Sequence, residues 1–245
     1  MDKVIYTAMN GASHTLEQQA NTANNLANAS TTGFKAQLNT FRAVPVVGDG
    51  YATRTYVVDS TAGSDLTGGG LQQTGRALDI AVNGDGWLAV QAPDGTESYT
   101  RAGDLKINEN GVLQTQSGHN VLGDTGPITV EPQSTVTIAS DGTVSSISLN
   151  GTPNAVNIIG RLKLVNPPPN TMVRGDDGLF RQADGVDADA DANVTVSPGM
   201  LESSNVNPVE AMVNMINLSR QFDLHMKMLS TVESNETKAT SIMTL

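Results

Sequence analysis

The chain has no cysteine among its 245 residues, which excludes disulfide staples and thiol chemistry and is compatible with an oxidising compartment. Aromatic residues make up only 4%, and hydrophobic residues 38%, a lean supply for a large core. No apolar run approaches 18 residues, so nothing is expected to insert directly into a membrane. Met1–Asn10 lacks a basic stretch followed by an apolar core, so any export is expected to proceed without a cleaved signal peptide. Positive charge is also scarce. Residues 46–200 hold 18 acids against eight bases, whereas the two ends together are close to neutral, and this acidic middle disfavours nucleic acid as a partner.

What is present is periodicity at the two ends. From Asn205 to Met243 the chain reads as one long helix. Asn207 offers an N-cap, Pro208 fits the first turn and Glu210 stands at the third helical position. Met212, Met215, Leu218, Phe222, Met226, Leu229 and Val232 recur at steps of three and four. A second helix is predicted from about Asp2 to Ala29, with Ile5, Met9, Ala12, Leu16, Gln19, Ala23 and Leu26 at heptad spacing and Gly33 as a left-handed C-cap onto which Phe34 folds back. Burying seven such side chains yields on the order of 10–20 kcal/mol, while ordering each residue costs about 1–2 kcal/mol. The ends are therefore expected to order fully only when several copies pack together.

Between them, residues 36–75 read as an extended, irregular arm broken by Pro45, with a β-prone piece at Tyr51–Val58 and a flexible Gly68-Gly69-Gly70. From Arg76 to about Gly199 short β-prone runs alternate with Asn83-Gly84, Asp94-Gly95, Asn110-Gly111, Asp141-Gly142 and Asn150-Gly151, which tolerate tight turns. Strands are expected at Ile80–Val82, Trp87–Ala92, Glu97–Arg101, Leu105–Asn108, Val112–Thr115, Ile128–Val130, Val136–Ala139, Thr143–Leu149 and Gly160–Val165, around a core of Ile80, Trp87, Leu88, Val90, Leu162 and Leu164. The fold class is α+β: long terminal helices forming a coiled-coil-like domain (1–35 and 201–245), the arm (36–75), and an inserted, hairpin-rich all-β domain (76–200).

Catalytic and metal constellations do not assemble. Asp187, Asp189, Asp191 and Asn193 alternate as calcium-loop ligands do, but Ala192 stands where glycine is needed and Pro198 where a bidentate glutamate is needed. His14, His119 and His225 have no metal-ligand spacing. Asp176-Asp177 lies in a glycine-flanked turn where carboxylates are ordinarily solvated. No catalytic, cofactor or metal residue is predicted.

Three stretches carry a resemblance. Asn24-Asn25-Leu26-Ala27-Asn28 followed by Thr31-Thr32-Gly33-Phe34-Lys35 is similar to the N-terminal signature of flagellar rod and hook proteins. Thr74-Gly75-Arg76-Ala77-Leu78-Asp79-Ile80-Ala81-Val82 with Gly84-Asp85-Gly86-Trp87 resembles their central β domain, and Leu201-Glu202-Ser203-Ser204-Asn205-Val206-Asn207-Pro208 their C-terminal signature. Arg220-Gln221-Phe222 and Met226-Lys227-Met228-Leu229 resemble proximal rod members more than distal ones. The resemblance implies a structural, non-enzymatic subunit of the periplasmic rod of the basal body. Its partners would be copies of itself, other proximal and distal rod subunits and the flagellar export apparatus, and its role transmission of motor torque. Another axial subunit, distal rod or hook, is the alternative, and a secreted β-rich enzyme a more remote one. The assembly residues expected on this reading are Ile5, Met9, Leu16, Leu26, Phe34, Met212, Met215, Leu218, Phe222, Met226 and Leu229, with Asn24, Asn28, Gly33, Asn205 and Asn207 at the helix ends.

Overall fold

The computed structural model describes residues 3–47, 55–148 and 156–243. The predicted helix start at Asp2, the Asn150-Gly151 turn, Leu149, and residues 51–54 of the β-prone piece at Tyr51–Val58 lie outside them. The chain is α+β and divides into two compact units, one of residues 1–29, 37–65 and 206–245, the other of residues 30–36 and 66–205.

The first unit holds α1 (Lys3–Ala27), α2 (Pro208–Met243) and an antiparallel ribbon of β1 (Gln37–Pro45) and β2 (Thr55–Ser64). α2 starts as its sequence dictates: Asn207 Oδ1 accepts from the amides of Val209 (3.1 Å) and Glu210 (3.4 Å), and Pro208 occupies the position that needs no N–H. No glycine or further proline interrupts it, and Thr231, Thr237 and Thr240 return their hydroxyls to carbonyls one turn back. The arm is not irregular throughout, contrary to the reading of its sequence; residues 37–45 and 55–64 pair in continuous register apart from a bulge at Thr40/Phe41. The local sequence mixes turn formers with β-formers, so only the pairing across the strands reveals the ribbon.

The second unit is built of short strands: β3 (Leu71–Gln73), β4 (Ile80–Val82), β5 (Trp87–Gln91), β6 (Glu97–Thr100), β7 (Leu105–Ile107), β8 (Leu113–Thr115), β9 (Asn120–Gly123), β10 (Gly126–Pro127), β11 (Ser134–Ile138), β12 (Thr143–Ser148), β13 (Val156–Arg161), β14 (Leu164–Val165), β15 (Met172–Arg174), β16 (Phe180–Gln182), β17 (Val196–Pro198) and β18 (Met200–Glu202). The largest sheet runs β15-β16-β6-β5-β9-β8-β7, with β10 added to β9 and β14 to β5; β11-β12-β13 forms a second sheet. The late strands β17 and β18 return to pair with β4 and β3, closing the unit on its own beginning. Gly84, Gly95, Gly111 and Gly142 all hold positive φ, as the turn dipeptides require. The expected core residues Ile80, Leu88, Val90, Leu162 and Leu164 are buried together, while Trp87 joins a smaller cluster with Tyr99, Val165 and Phe180.

Two strand expectations change. Ile128–Val130 is not a strand, because only Thr129 bridges, to Val112. The run Gly160–Val165 breaks at Leu162-Lys163, since Leu162 donates to the Gly142 carbonyl and Lys163 to Leu122, carrying the chain from one sheet to the other.

Candidate assembly surface and the joint between the end signatures

In the first unit α1 meets α2 along a face of mostly small residues. The inward face of α1 carries Ala8, Ala12, Thr15, Gln19, Thr22 and Leu26, and a Cβ added at Gly11 would stand 2.6 Å from the His225 ring of α2. Thr15 and Thr22 face inward at little cost because their hydroxyls donate to the carbonyls of Gly11 and Gln18 at 2.8 Å. The predicted stripe therefore holds at Ile5, Ala12, Gln19 and Leu26 and shifts by one residue at Met9, Leu16 and Ala23. Ile5 and Leu26 are partly covered, but Met9 (55% exposed) and Leu16 (49%) point away from α2. Close approach at Gly11 admits small residues, so the larger ones fall on the opposite face, where Tyr6, Met9, Ser13, Leu16, Ala20 and Ala23 follow the same three-four spacing and are all exposed.

On α2 the predicted line holds at Met215, Leu218, Phe222, Leu229 and Val232 and slips by one residue at two places. Ala211, Met215, Leu218, Phe222, His225, Leu229 and Val232 are covered in steps of four and three, and Ala239 is covered one heptad further on. Met212 and Met226, predicted on that line, are about half exposed because the seam runs through Ala211 and His225 instead. Outside it, Val209, Met212, Val213 and Ile216 leave an apolar patch on the first three turns. Between α1, β1 and α2 lies a groove of about 470 Å³ whose polar lining, including Gln18, Asn21, Asn25, Asn214 and Gln221, is made of uncharged groups.

In the second unit the tail of the N-terminal signature, residues 30–36, is stitched to the head of the C-terminal one. Lys35 Nζ donates to Glu202 Oε1 at 2.6 Å and to the Thr67 carbonyl at 2.7 Å; Arg101 Nη1 donates to Glu202 Oε2 at 3.1 Å. All three side chains are buried. Burial pushes the Arg101 guanidinium below its ordinary pKa while Glu202 pulls it back up, and the same guanidinium lies 5.2 Å from the Trp87 ring centre. Glu202 also accepts from the Gly69 amide at 2.9 Å. A carboxylate with two cationic donors and a backbone amide is the saturated arrangement a buried charge requires.

Gly33 does take positive φ (+65°), but not as a helix cap: α1 has already ended at Ala27. The glycine is needed because its amide donates to the Glu202 carbonyl at 2.8 Å and the backbone of Arg101 and Ala102 occupies the space of a Cβ. Phe34 is buried under the Arg174 guanidinium, 4.5 Å from its ring centre. Asn205 Oδ1 accepts from the Ala36 amide at 2.8 Å, and the Asn205 amide donates to the Phe34 carbonyl. Asn28 closes α1 by donating to the Asn24 carbonyl from both backbone (3.1 Å) and side chain (2.9 Å), and Asn24 itself is exposed. The sequence reading did not single out Glu202, Arg101 or Lys35 as a triad; a buried ion cluster formed across 167 positions has no local signature.

The remaining polar candidates serve local structure. Asp191 accepts from the amide and side chain of Asn193, and Asp177 is bound at both oxygens by Arg181, whose hydrogen bonds hold its carboxyl below the usual range. No cluster of three metal-ligating side chains occurs among the described residues.

Comparison with known proteins places these stretches. The family model "Flagella basal body rod protein" matches residues 5–35, "Flagellar hook protein FlgE/F/G D1 domain" residues 81–146, and "Flagellar basal body rod FlgEFG protein C-terminal" residues 197–242. The chain is 51% identical to the flagellar basal-body rod protein FlgF of Salmonella typhimurium and 48% identical to that of Escherichia coli, in each case over 100% of both chains. It is 33% identical to the flagellar basal-body rod protein FlgG of Buchnera aphidicola subsp. Schizaphis graminum over 85% of this chain and 87% of that one.

Proposed function

Because the chain belongs to the flagellar basal-body rod protein family, we propose that it is a structural subunit of the proximal rod, carrying torque through side-by-side packing of its terminal helices. The observation that carries this reading is the 51% identity to a rod protein along its whole length, with both end signatures included.

In this role α1 and α2 pack as a coiled-coil-like pair within each copy. Their outward apolar residues, Met9 and Leu16 on one helix and Val209, Met212, Val213 and Ile216 on the other, are covered by neighbouring copies or other rod subunits. Ile5 and Leu26 on one helix and Met215, Leu218, Phe222 and Leu229 on the other hold the pair together. Torque transfer asks for many simultaneous contacts and no catalytic group. Delivery is through the flagellar export apparatus to the periplasmic rod. The test is complementation: in a Salmonella strain lacking its own FlgF, this chain restores rods and swimming, and failure of a well-expressed chain to do so overturns the reading.

A further inference from the structure

The ribbon of the first unit is held to α1 by two asparagines in the same way at two places. Asn25 Oδ1 accepts from the Gln37 amide at 2.8 Å and its Nδ2 donates to the Gln37 carbonyl at 2.9 Å. Asn10 Oδ1 accepts from the Val57 amide at 3.0 Å and its Nδ2 donates to the Val57 carbonyl at 3.3 Å. A primary amide offers one acceptor and donors in the plane of a peptide group, so each asparagine replaces the missing neighbour of a strand edge.

The two clasps fit the same ruler. Asn10 and Asn25 are 15 positions apart, about 22 Å along a helix at ~1.5 Å per residue. Val57 pairs with Ala43, six positions from Gln37, and at ~3.4 Å per residue that is about 20 Å of strand. Between them His14 meets Phe41 edge-on at 5.6 Å, with its Nε2 3.2 Å from Asn10 Nδ2. Sliding the ribbon along α1 by one residue would present residues whose N–H and C=O point to the other strand of the ribbon, and both clasps would be lost together.

We infer that Asn10 and Asn25 are positioning residues for assembly, fixing the register and direction of the ribbon on α1 so that the arm meets a neighbouring subunit at one set angle. The inference rests on the rod-subunit reading for its consequence, though the clasps themselves do not depend on it.

Because the chain lacks cysteine, a substitute clasp can be built cleanly. In the complementation strain, Asn25→Leu should lose swimming, and Asn25→Asp should lose it too, since a carboxylate keeps the acceptor for Gln37 N–H but sets an oxygen against the Gln37 carbonyl. The pair Asn25→Cys with Gln37→Cys should form a disulfide on a non-reducing gel and recover swimming that Asn25→Leu lacks. Normal swimming of Asn25→Leu at wild-type protein level overturns the inference, as does a formed disulfide that leaves cells immotile. Failure of the unaltered chain to complement speaks instead against the rod reading.

Discussion

Lys35 and Glu202 stand 2.6 Å apart, both buried, one from the end of the N-terminal signature and the other from the start of the C-terminal one. The pair, with Arg101 as third member, ties the two end signatures into the β unit before either helix is considered. Removing the carboxylate takes from two buried cations the counter-charge they share. Glu202→Gln is expected to cost about 3–5 kcal/mol, the range for breaking a buried ion pair. Denaturant unfolding followed by the fluorescence of Trp87, the chain's single tryptophan and a neighbour of Arg101, reads this directly.

Gly33→Ala strains the same joint by a different route. The residue would sit at positive φ with its Cβ inside the Arg101–Ala102 backbone, which cannot swing aside as a side chain can. A loss of at least roughly 1–3 kcal/mol is expected from the backbone conformation alone, in the same Trp87-monitored unfolding. Gly75→Ala, at a similar φ but with open space at its Cβ, should cost less.

Asp104 supplies a pH dependence of opposite sign to a surface ion pair. Burial, assisted by the nearby Asp79, holds its carboxyl above the ordinary value, with Arg76 and Lys106 opposing. The folded form therefore binds this proton more tightly than the unfolded form, and the contribution falls as pH rises from the ordinary carboxylate value through the raised one. Asp104→Asn should flatten stability across that window and raise it at neutral pH, as thermal melts at stepped pH will show. Asp177 runs the other way: its pairing with Arg181 contributes above the ordinary carboxylate value and is lost as pH drops through the lowered one.

The two faces of α2 separate folding from assembly. Val213→Asp or Ile216→Asp changes an exposed position, so chain stability should move by no more than about 0.5 kcal/mol while swimming is lost. Phe222→Asp, on the covered line facing α1, should weaken both. Parallel melts and motility assays distinguish the two.

Much of the β unit was legible because its determinants are local: the Asn-Gly and Asp-Gly turns at 83–84, 94–95, 110–111 and 141–142 fixed where strands end, and Asn207-Pro208 fixed the start of α2. What escaped depends on contacts distant in sequence. The pairing of β17 and β18 with β4 and β3, the ribbon register, and the Lys35–Glu202–Arg101 cluster each join segments with no shared local pattern. The helix seams have the period the sequence suggests and a different phase at Met9, Leu16, Met212 and Met226. Pattern reading favours large apolar side chains, whereas close packing at Gly11 selects small ones on α1, and its Met9 and Leu16 are left facing outward.

That outward set is where the account is most exposed to test. A density map of an assembled rod with this chain placed in it should show Met9, Leu16, Val213 and Ile216 covered by helices of adjacent subunits. A map in which those residues face solvent, while the rod is held together through the β unit alone, would contradict it.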